Sequence, residues 1–182
     1  MSRQGRVVLA IVALQAALIG TYWLVERLRS PAGAVRSELS TAPPERVEGS
    51  MPPLSLRRRD GSRLELRAPD RPTLVHLWAT WCPPCRAELP ALLALPDEHP
   101  LDVVAVALDE EWSAVERLVD RRRLSSVYLG DPLEIQAVLG ARSLPVTYLL
   151  QPGGRLHLRF DGARDWTDSA FLSDWMEDRG RE

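Results

Sequence analysis

Two cysteines three positions apart, at the junction of an apolar strand-like run and a helix-like run, constrain the fold of this chain most. They are Cys82 and Cys85 in "WATWCPPCRAELP" (residues 78–90), and the 182-residue chain contains no other cysteine. Two cysteines are too few for the usual four-ligand zinc site, and the three histidines show no ligand spacing near them. A disulfide across so short a loop stabilises a fold less than a long-range one. Redox chemistry is therefore the leading use of the pair.

The position of the pair at the start of a helix predicts different roles for the two thiols. Only a thiolate attacks a disulfide, and the free N–H groups and dipole of a helix N-terminus stabilise it. Pro84 suits an early helical position, where no N–H is needed. We expect Cys82, at the exposed end, to form a mixed disulfide, and Cys85, one turn in, to resolve it by attacking Cys82.

Two further positions invite a chemical interpretation, and the sequence leaves both open. Glu88 lies one helical turn beyond Cys85; partly buried, it would have a raised pKa and exchange a proton with Cys85, whereas exposed it would be an ordinary surface carboxylate. Pro90 is expected to kink the helix. Pro145, in "SLPVT", precedes a buried strand, which is compatible with a cis peptide bond beside a peptide-binding backbone edge.

An uncharged apolar run near the N-terminus, residues 7–25, predicts a membrane-spanning helix. Such a helix needs about 20 apolar residues, and Tyr22 and Trp23 lie where aromatic side chains favour the interface. Two arginines and the terminal amine precede the run, and two arginines offset by one glutamate follow it closely. This slight excess of positive charge before the run favours a cytoplasmic N-terminus and an exported C-terminal domain. A cleaved signal peptide, with an A-x-A-like site at 32–34, and a buried soluble helix are the alternatives.

Composition shifts along the chain predict three regions. The anchor or signal segment occupies residues 1–29, a Pro-rich linker occupies 30–50, and one folded domain occupies 51–182. The formal net charge of −2 gives no electrostatic case for nucleic-acid binding. All 23 basic residues are arginines, which excludes Schiff-base lysine chemistry and a phosphate-loop lysine.

Apolar periodicity in the domain predicts strands alternating with helices, hence an α/β fold with a mixed sheet covered on both faces. A hairpin is expected at 54–67 around Asp60 and Gly61. The further strands are expected at 73–80, 101–109, 126–129, 146–150 and 155–160. The helices are expected at 83–95, 112–123, 132–140 and 168–178. We expect the tryptophans at positions 112, 166 and 175 to be packing residues.

On the stretch 78–90, the Pro145 position and the N-terminal run, the chain resembles the membrane-anchored TlpA/ResA/DsbE family of extracytoplasmic thiol–disulfide oxidoreductases. The resemblance covers about residues 50–178. It implies a thioredoxin fold, a mixed central sheet flanked by helices. An N-terminal β-hairpin and a central helix-and-strand insertion, at about 110–140, complete this expected fold. No cofactor and no metal are expected.

The resemblance also implies a role for each matching residue. The expected catalytic residues are the nucleophile Cys82, the resolving thiol Cys85 and the acidic Glu88. The expected substrate-binding residues are Trp81, Pro83, Leu144 and the cis-proline Pro145. The expected supporting residues are Trp78, His76 and the kink proline Pro90.

Two positions depart from the pattern of the resemblance. His76 stands where thioredoxins proper carry a buried aspartate, two residues before the first tryptophan. It is either a neutral core histidine or part of a proton relay beside Glu88. Leu144 is an unusual residue before the cis-proline, at a position that contacts substrate in thioredoxin folds, so the choice of partner stays open.

The function that these features predict is reduction of protein disulfides outside the cytoplasmic membrane. The expected substrates are an apocytochrome c, a copper-site protein or another thioredoxin-fold protein, and the expected electron donor is a transmembrane thiol carrier. A membrane-bound monomer without nucleic acid is expected. Two alternatives remain: a disulfide oxidase or isomerase on the same fold, and a Cu(I) chaperone that uses the two thiolates.

Overall fold

A computed structural model describes residues 13–22, 39–40 and 42–168 of the chain. The chain divides into two compact units, Met1–Glu38 and Leu39–Glu182. In the first unit residues 13–22 are helical, with the apolar side chains of Leu14, Leu18 and Ile19 exposed. No helix in the described part of the chain has the length and apolar character needed to cross a membrane. The rest of the predicted anchor, and the predicted helix 168–178 beyond Asp168, lie outside the described residues.

The described residues of the second unit form one sheet of eight strands in the order β1-β8-β7-β4-β5-β6-β2-β3. β4 pairs with β5, and β5 with β6, in parallel, whereas every other neighbouring pair is antiparallel. The sheet is therefore mixed, as the sequence predicts. The strands are β1 (Glu45–Arg46), β2 (Leu54–Arg57), β3 (Arg63–Leu66), β4 (Thr73–Trp78), β5 (Asp102–Ala107), β6 (Val127–Gly130), β7 (Val146–Leu150) and β8 (Leu156–Asp161).

The described part of this unit contains three α-helices, each between two consecutive strands of the chain. They are α1 (Pro83–Glu98), α2 (Trp112–Glu116) and α3 (Pro132–Leu139). Asp131 caps α3 by accepting hydrogen bonds from the N–H groups of Leu133 and Glu134. Gly140 ends the same helix in the left-handed conformation, with φ of 62°, which glycine adopts without steric penalty.

The sequence predicts one helix over residues 112–123, and this prediction is wrong in length. α2 ends at Glu116, and a separate 3-10 turn covers Arg121–Ser126. The side chain of Asp120 accepts from the N–H of Arg122 and starts the new turn. Val115 and Val119 are buried, but Leu118 is exposed. The apolar residues of this segment have helical spacing, but Asp120 caps a new turn and so interrupts the helix.

The second half of the predicted linker contributes to the sheet. β1 pairs with β8, with Glu45 opposite Arg159 and Arg46 opposite Leu158. The N–H of Val47 also donates to the carbonyl of His157, at 3.1 Å. The chain that leads into the domain therefore forms its edge strand.

The period of two along β4 divides the core between the two faces of the sheet. Leu74 and Trp78 pack in the same apolar cluster as the buried leucines of α1, whereas Val75 and Leu77 pack in the cluster that includes the β2 hairpin. His76 has the parity of Leu74 and Trp78 and is fully buried. The fold therefore places a histidine ring in the core between the central strand and α1.

Candidate active site

The two cysteines are joined in a disulfide at the start of α1, with their Cα atoms 5.3 Å apart. Cys82 is the N-cap of the helix, and its sulfur accepts a hydrogen bond from the N–H of Cys85 at 3.3 Å. Pro83 and Pro84 fill the first two helical positions and provide no N–H. The N–H of Cys85 is thus the first helical amide able to stabilise negative charge on the Cys82 sulfur.

The loop that carries Cys82 is held by a residue that the sequence analysis did not single out. Asp109, just beyond β5, accepts hydrogen bonds from the backbone N–H of Thr80, at 2.9 Å, and from its hydroxyl. The carbonyl of Ala79 accepts from the N–H of Cys82 at 3.1 Å. The sequence signal for Asp109 was an acidic residue at the C-terminal end of a predicted strand. Strand ends and helix starts meet at one edge of such a sheet, so this position lies near the start of the cysteine helix.

The predicted substrate-binding residues differ in exposure. The side chain of Trp81 is 68% exposed and Pro83 is also exposed, beside cysteines that are almost fully buried. The Leu144–Pro145 peptide bond is cis, the isomer that the resemblance implies. Leu144 is half-buried and packs against both apolar clusters. The carbonyl of Pro145 accepts from the N–H of Gly162 at 2.9 Å, so it is already paired within the domain.

Pro90 lies on the exposed side of α1, and the helix continues through both Pro90 and Pro96 to Glu98. Trp78 is fully buried at the end of β4. Its carbonyl accepts from the N–H of Leu108, which joins the ends of the two parallel strands below the cysteine loop. Both predicted supporting residues therefore lie in the elements that position the disulfide.

Glu88 is buried, so its interpretation as a surface carboxylate is wrong. Glu88 is only 4% exposed. Its Oε2 atom accepts 2.7 Å hydrogen bonds from the indole N–H of Trp166 and from the backbone N–H of Arg164. Burial raises its pKa to about 7, against the lowering effect of these two donors and of the Arg164 charge. A carboxyl group at this position changes its protonation state close to neutral pH.

His76 lies next to Glu88. The Nε2 atom of the ring is 3.7 Å from Oε1 of Glu88, and Nδ1 is 2.9 Å from the hydroxyl oxygen of Thr147. Burial lowers the pKa of His76 to about 3, so the ring is neutral at physiological pH. The structure therefore supports the interpretation of His76 as a neutral core histidine and places its ring next to Glu88.

The segment after β8 supplies two hydrogen-bond partners of Glu88, Arg164 and Trp166. The sequence predicted only a packing role for Trp166 and no role for Arg164. Trp166 is a packing residue, as predicted, with its ring edge-on to Phe160 at 5.6 Å, and its indole also holds Glu88. Arg164 was not singled out. Its guanidinium donates to the carbonyl of Ser40, at 3.1 Å, and to that of Ala42. Arg164 thus contacts both the Glu88 carboxyl and the chain that enters the domain.

Within the described ranges, no three His, Cys, Asp or Glu side chains lie close enough together to hold a metal ion. Three buried polar side chains instead lie next to one another: Oε1 of Glu88 is 3.7 Å from Nε2 of His76, and Nδ1 of His76 is 2.9 Å from the hydroxyl oxygen of Thr147. A carboxyl with a pKa of about 7 exchanges protons near neutral pH, and a disulfide exchanges electron pairs with thiols. The arrangement is suited to dithiol–disulfide exchange.

Comparisons with known proteins agree with this geometry. The family model described as Redoxin matches residues 46–169. The chain is 35% identical over 109 residues to the thioredoxin-like protein YneN of Bacillus subtilis, covering 57% of this chain and 64% of YneN. It is 31% identical over 102 residues to the thiol-disulfide oxidoreductase ResA of Halalkalibacterium halodurans, covering 53% of this chain and 58% of ResA. The chain thus spans less than two thirds of the length of either relative.

A solved structure shows the same fold. The crystal structure of StoA from Bacillus subtilis superposes with a TM-score of 0.55 at 22% identity, covering 69% of this chain and 97% of that one. The domain is therefore a thioredoxin-fold domain that carries a CxxC disulfide at the start of α1. The chain belongs to the Redoxin family.

Proposed function

We propose that this protein is a membrane-tethered thiol–disulfide oxidoreductase that reduces disulfides of other proteins outside the cytoplasmic membrane. The substrates we propose are apocytochrome c during cytochrome c maturation, or proteins whose metal-binding thiols must be kept reduced. A transmembrane thiol carrier supplies the electrons. The names of relatives such as ResA support the exchange chemistry, and the apolar run at 7–25 supports the tether.

The observation that carries this proposal is the buried Glu88 one helical turn beyond Cys85. Residues three positions apart lie on the same face of a helix, so the carboxyl and the resolving cysteine lie along one side of α1. With a pKa raised by burial to about 7, Glu88 accepts a proton at neutral pH and returns it later in the cycle. An ordinary carboxyl, ionised throughout, would be a much weaker base for a thiol.

The exchange reaction proceeds in two steps from the reduced dithiol. The Cys82 thiolate attacks one sulfur of the substrate disulfide, forming a mixed disulfide and releasing the other substrate sulfur as a thiolate. Glu88 takes the proton of the Cys85 thiol, and the resulting thiolate attacks the Cys82 sulfur. This step forms the Cys82–Cys85 disulfide of the structure and releases the second substrate thiolate. The substrate gains two electrons, which the carrier restores to the domain.

The exposed ring of Trp81 and the backbone before the cis-proline are the proposed contact surface for the substrate. Because the carbonyl of Pro145 is paired with Gly162, a bound peptide pairs with the backbone of Leu144. The half-buried Leu144 side chain then contributes apolar contact. An extended, apolar segment beside the substrate cysteine fits this surface.

The reduction potential of the full chain, measured in detergent against thiol redox buffers, tests the direction of electron flow. A value of about −270 mV or lower supports a reductase, whereas a value near about −120 mV overturns it in favour of an oxidase. Location is tested separately with the full chain in bacterial cells. The proposal requires that the protein is recovered in the membrane fraction and that protease added to the periplasmic side digests the domain.

A further inference from the structure

His76 on β4 and Glu88 on α1 lie next to each other, and among the described residues each has one polar atom without a hydrogen bond. The two atoms, Nε2 of His76 and Oε1 of Glu88, are 3.7 Å apart, and both side chains are fully buried. Within the described part of the chain neither atom has a hydrogen-bond partner. Buried polar atoms are normally paired, so two such atoms only 3.7 Å apart are candidate partners for one shared proton.

The far side of each group is already occupied. Two N–H donors, from Arg164 and Trp166, fill Oε2 of Glu88 at 2.7 Å. A proton that binds Glu88 therefore binds at Oε1, the atom that faces the histidine ring. On the other side of the ring, Nδ1 lies 2.9 Å from the Thr147 hydroxyl, which is buried directly opposite His76 on β7.

We propose that His76 is a positioning residue that keeps Glu88 hydrogen-bonded in both protonation states by changing its ring tautomer. When Glu88 is protonated, its O–H donates to Nε2, and the Nδ1–H donates to the Thr147 oxygen. When Glu88 is ionised, the ring carries its proton on Nε2 and donates to Oε1, while Nδ1 accepts from the Thr147 hydroxyl. The ring holds one proton in each state, so the states differ only by the proton of Glu88.

The chemistry of the three side chains suits this exchange of roles. A neutral imidazole has one donor and one acceptor nitrogen, and a hydroxyl both donates and accepts, so both hydrogen bonds of the ring can reverse direction together. Burial lowers the pKa of His76 to about 3 and keeps the ring neutral. The charged group that faces Glu88 from the segment after β8 is the Arg164 guanidinium, which itself faces Asp161. On α1, Cys85 lies in the disulfide and does not titrate.

This inference rests on the proposed function only in its consequence. In the exchange reaction Glu88 gains and loses a proton once per cycle. Because His76 hydrogen-bonds both the protonated and the ionised carboxyl, neither form of Glu88 is strongly favoured over the other. The tautomer change occurs in the oxidised protein at rest. It is therefore tested without turnover, and its failure is distinguishable from failure of the proposed function.

The test is NMR of the oxidised full chain in detergent, with 15N in the histidine rings and 13C in the glutamate carboxyls, from pH 5 to 9. We expect the Glu88 carboxyl and both His76 ring nitrogens to share one inflection near pH 7. The ring should carry its proton on Nδ1 below the inflection and on Nε2 above it, and remain neutral throughout. A single His76 tautomer over the whole range, or an imidazolium form, overturns the proposal.

Variants separate the switch from simple packing. Glu88→Gln should hold His76 in the Nδ1–H tautomer at every pH, because the amide N–H replaces the carboxyl O–H. His76→Leu should raise the pKa of Glu88 by about one unit, since the ionised carboxyl loses a donor. His76→Gln, whose amide nitrogen reaches the position of Nε2, should restore most of that shift. An unshifted Glu88 inflection in His76→Leu overturns the proposal. If that variant does not fold, the wild-type tautomer measurement still decides.

Discussion

The carboxyl of Glu88 accepts a 2.7 Å hydrogen bond from the indole nitrogen of Trp166, a residue 78 positions further along the chain. Both side chains are buried, and the indole is the only side-chain donor to Glu88 among the described hydrogen bonds. The segment that follows the last strand thus contributes directly to the protonation of a residue on the helix of the cysteine pair.

Trp166→Phe should raise the pKa of Glu88 above about 7, because the indole N–H stabilises the ionised carboxyl. A hydrogen bond to a charged group contributes about 1.5–3 kcal/mol, so the loss of folding stability should be larger at pH 8.5 than at pH 5. The 13C titration of the Glu88 carboxyl measures the shift. Trp112→Phe is the matched control, since that indole donates to the carbonyl of Arg58. Equal titrations in both variants would contradict the role of Trp166.

Glu88→Gln should stabilise the oxidised protein at alkaline pH. A carboxyl whose pKa is raised by folding, here from 4.5 to about 7, contributes stability that is complete below pH 4.5 and lost as the pH rises through 7. At about 1.4 kcal/mol per pH unit, that loss is on the order of 3 kcal/mol. The neutral amide of glutamine mimics the protonated acid, so the variant does not lose this stability at alkaline pH.

Denaturant unfolding at pH 5 and pH 8.5 measures this difference. The variant should match the wild type at pH 5 and exceed it at pH 8.5. The stability that His76 contributes, lost as the pH falls from 6.5 towards 3, occurs in both proteins and cancels in the comparison. Glu98→Gln, at the exposed end of α1, should leave the pH dependence unchanged. A parallel pH dependence in wild type and Glu88→Gln would show that Glu88 is ionised throughout.

Local patterns in the sequence predict the disulfide site because its parts are adjacent in the chain. The buried strand, the cysteine pair and the helix follow one another within residues 73–98, and the cap and proline positions have short-range causes. The same kind of pattern fails at 112–123, where apolar spacing cannot reveal that Asp120 starts a new turn. It also cannot reveal the partners of Glu88, because Arg164 and Trp166 reach it only through long-range packing.

Arg164→Met should release the chain that enters the domain while leaving the backbone N–H that Arg164 donates to Glu88. The guanidinium donates to the carbonyls of Ser40 and Ala42, so faster amide hydrogen exchange is expected between residues 40 and 47. The pKa of Glu88 should rise, because the positive charge lowers it. Arg71→Met removes only an exposed ion pair with Asp102 and is the control. Unchanged amide hydrogen exchange between residues 40 and 47 would show that the Arg164 guanidinium does not hold this segment.

Cys85→Ser should trap a mixed disulfide between Cys82 and its substrate, whereas Cys82→Ser should abolish exchange. In the proposed mechanism Cys82, the helix N-cap, attacks first, and without Cys85 no thiolate resolves the adduct. Non-reducing electrophoresis of membranes from cells that express each variant detects the adduct, and mass spectrometry identifies the trapped protein. Turnover of Cys85→Ser at the wild-type rate would refute the assignment of the two thiols.

Pro84→Ala should make the disulfide more oxidising. In the wild type the first two helical positions are prolines, and the sulfur of the N-cap Cys82 accepts only from the N–H of Cys85 among the described hydrogen bonds. Alanine at position 84 adds an N–H at the second helical position, where N-cap side chains accept.

A capping bond contributes about 1 kcal/mol, and stabilising the thiolate by that amount raises the reduction potential by about 20 mV. The pKa of Cys82 should fall correspondingly in the reduced protein. Equilibration with glutathione and a pH titration of thiolate absorbance measure the two quantities. Pro96→Ala, further along the same helix, changes helix propensity without adding a donor near the sulfur and should leave both quantities unchanged. A fall in the potential of Pro84→Ala would show that helix geometry, and not the missing donor, controls the thiolate.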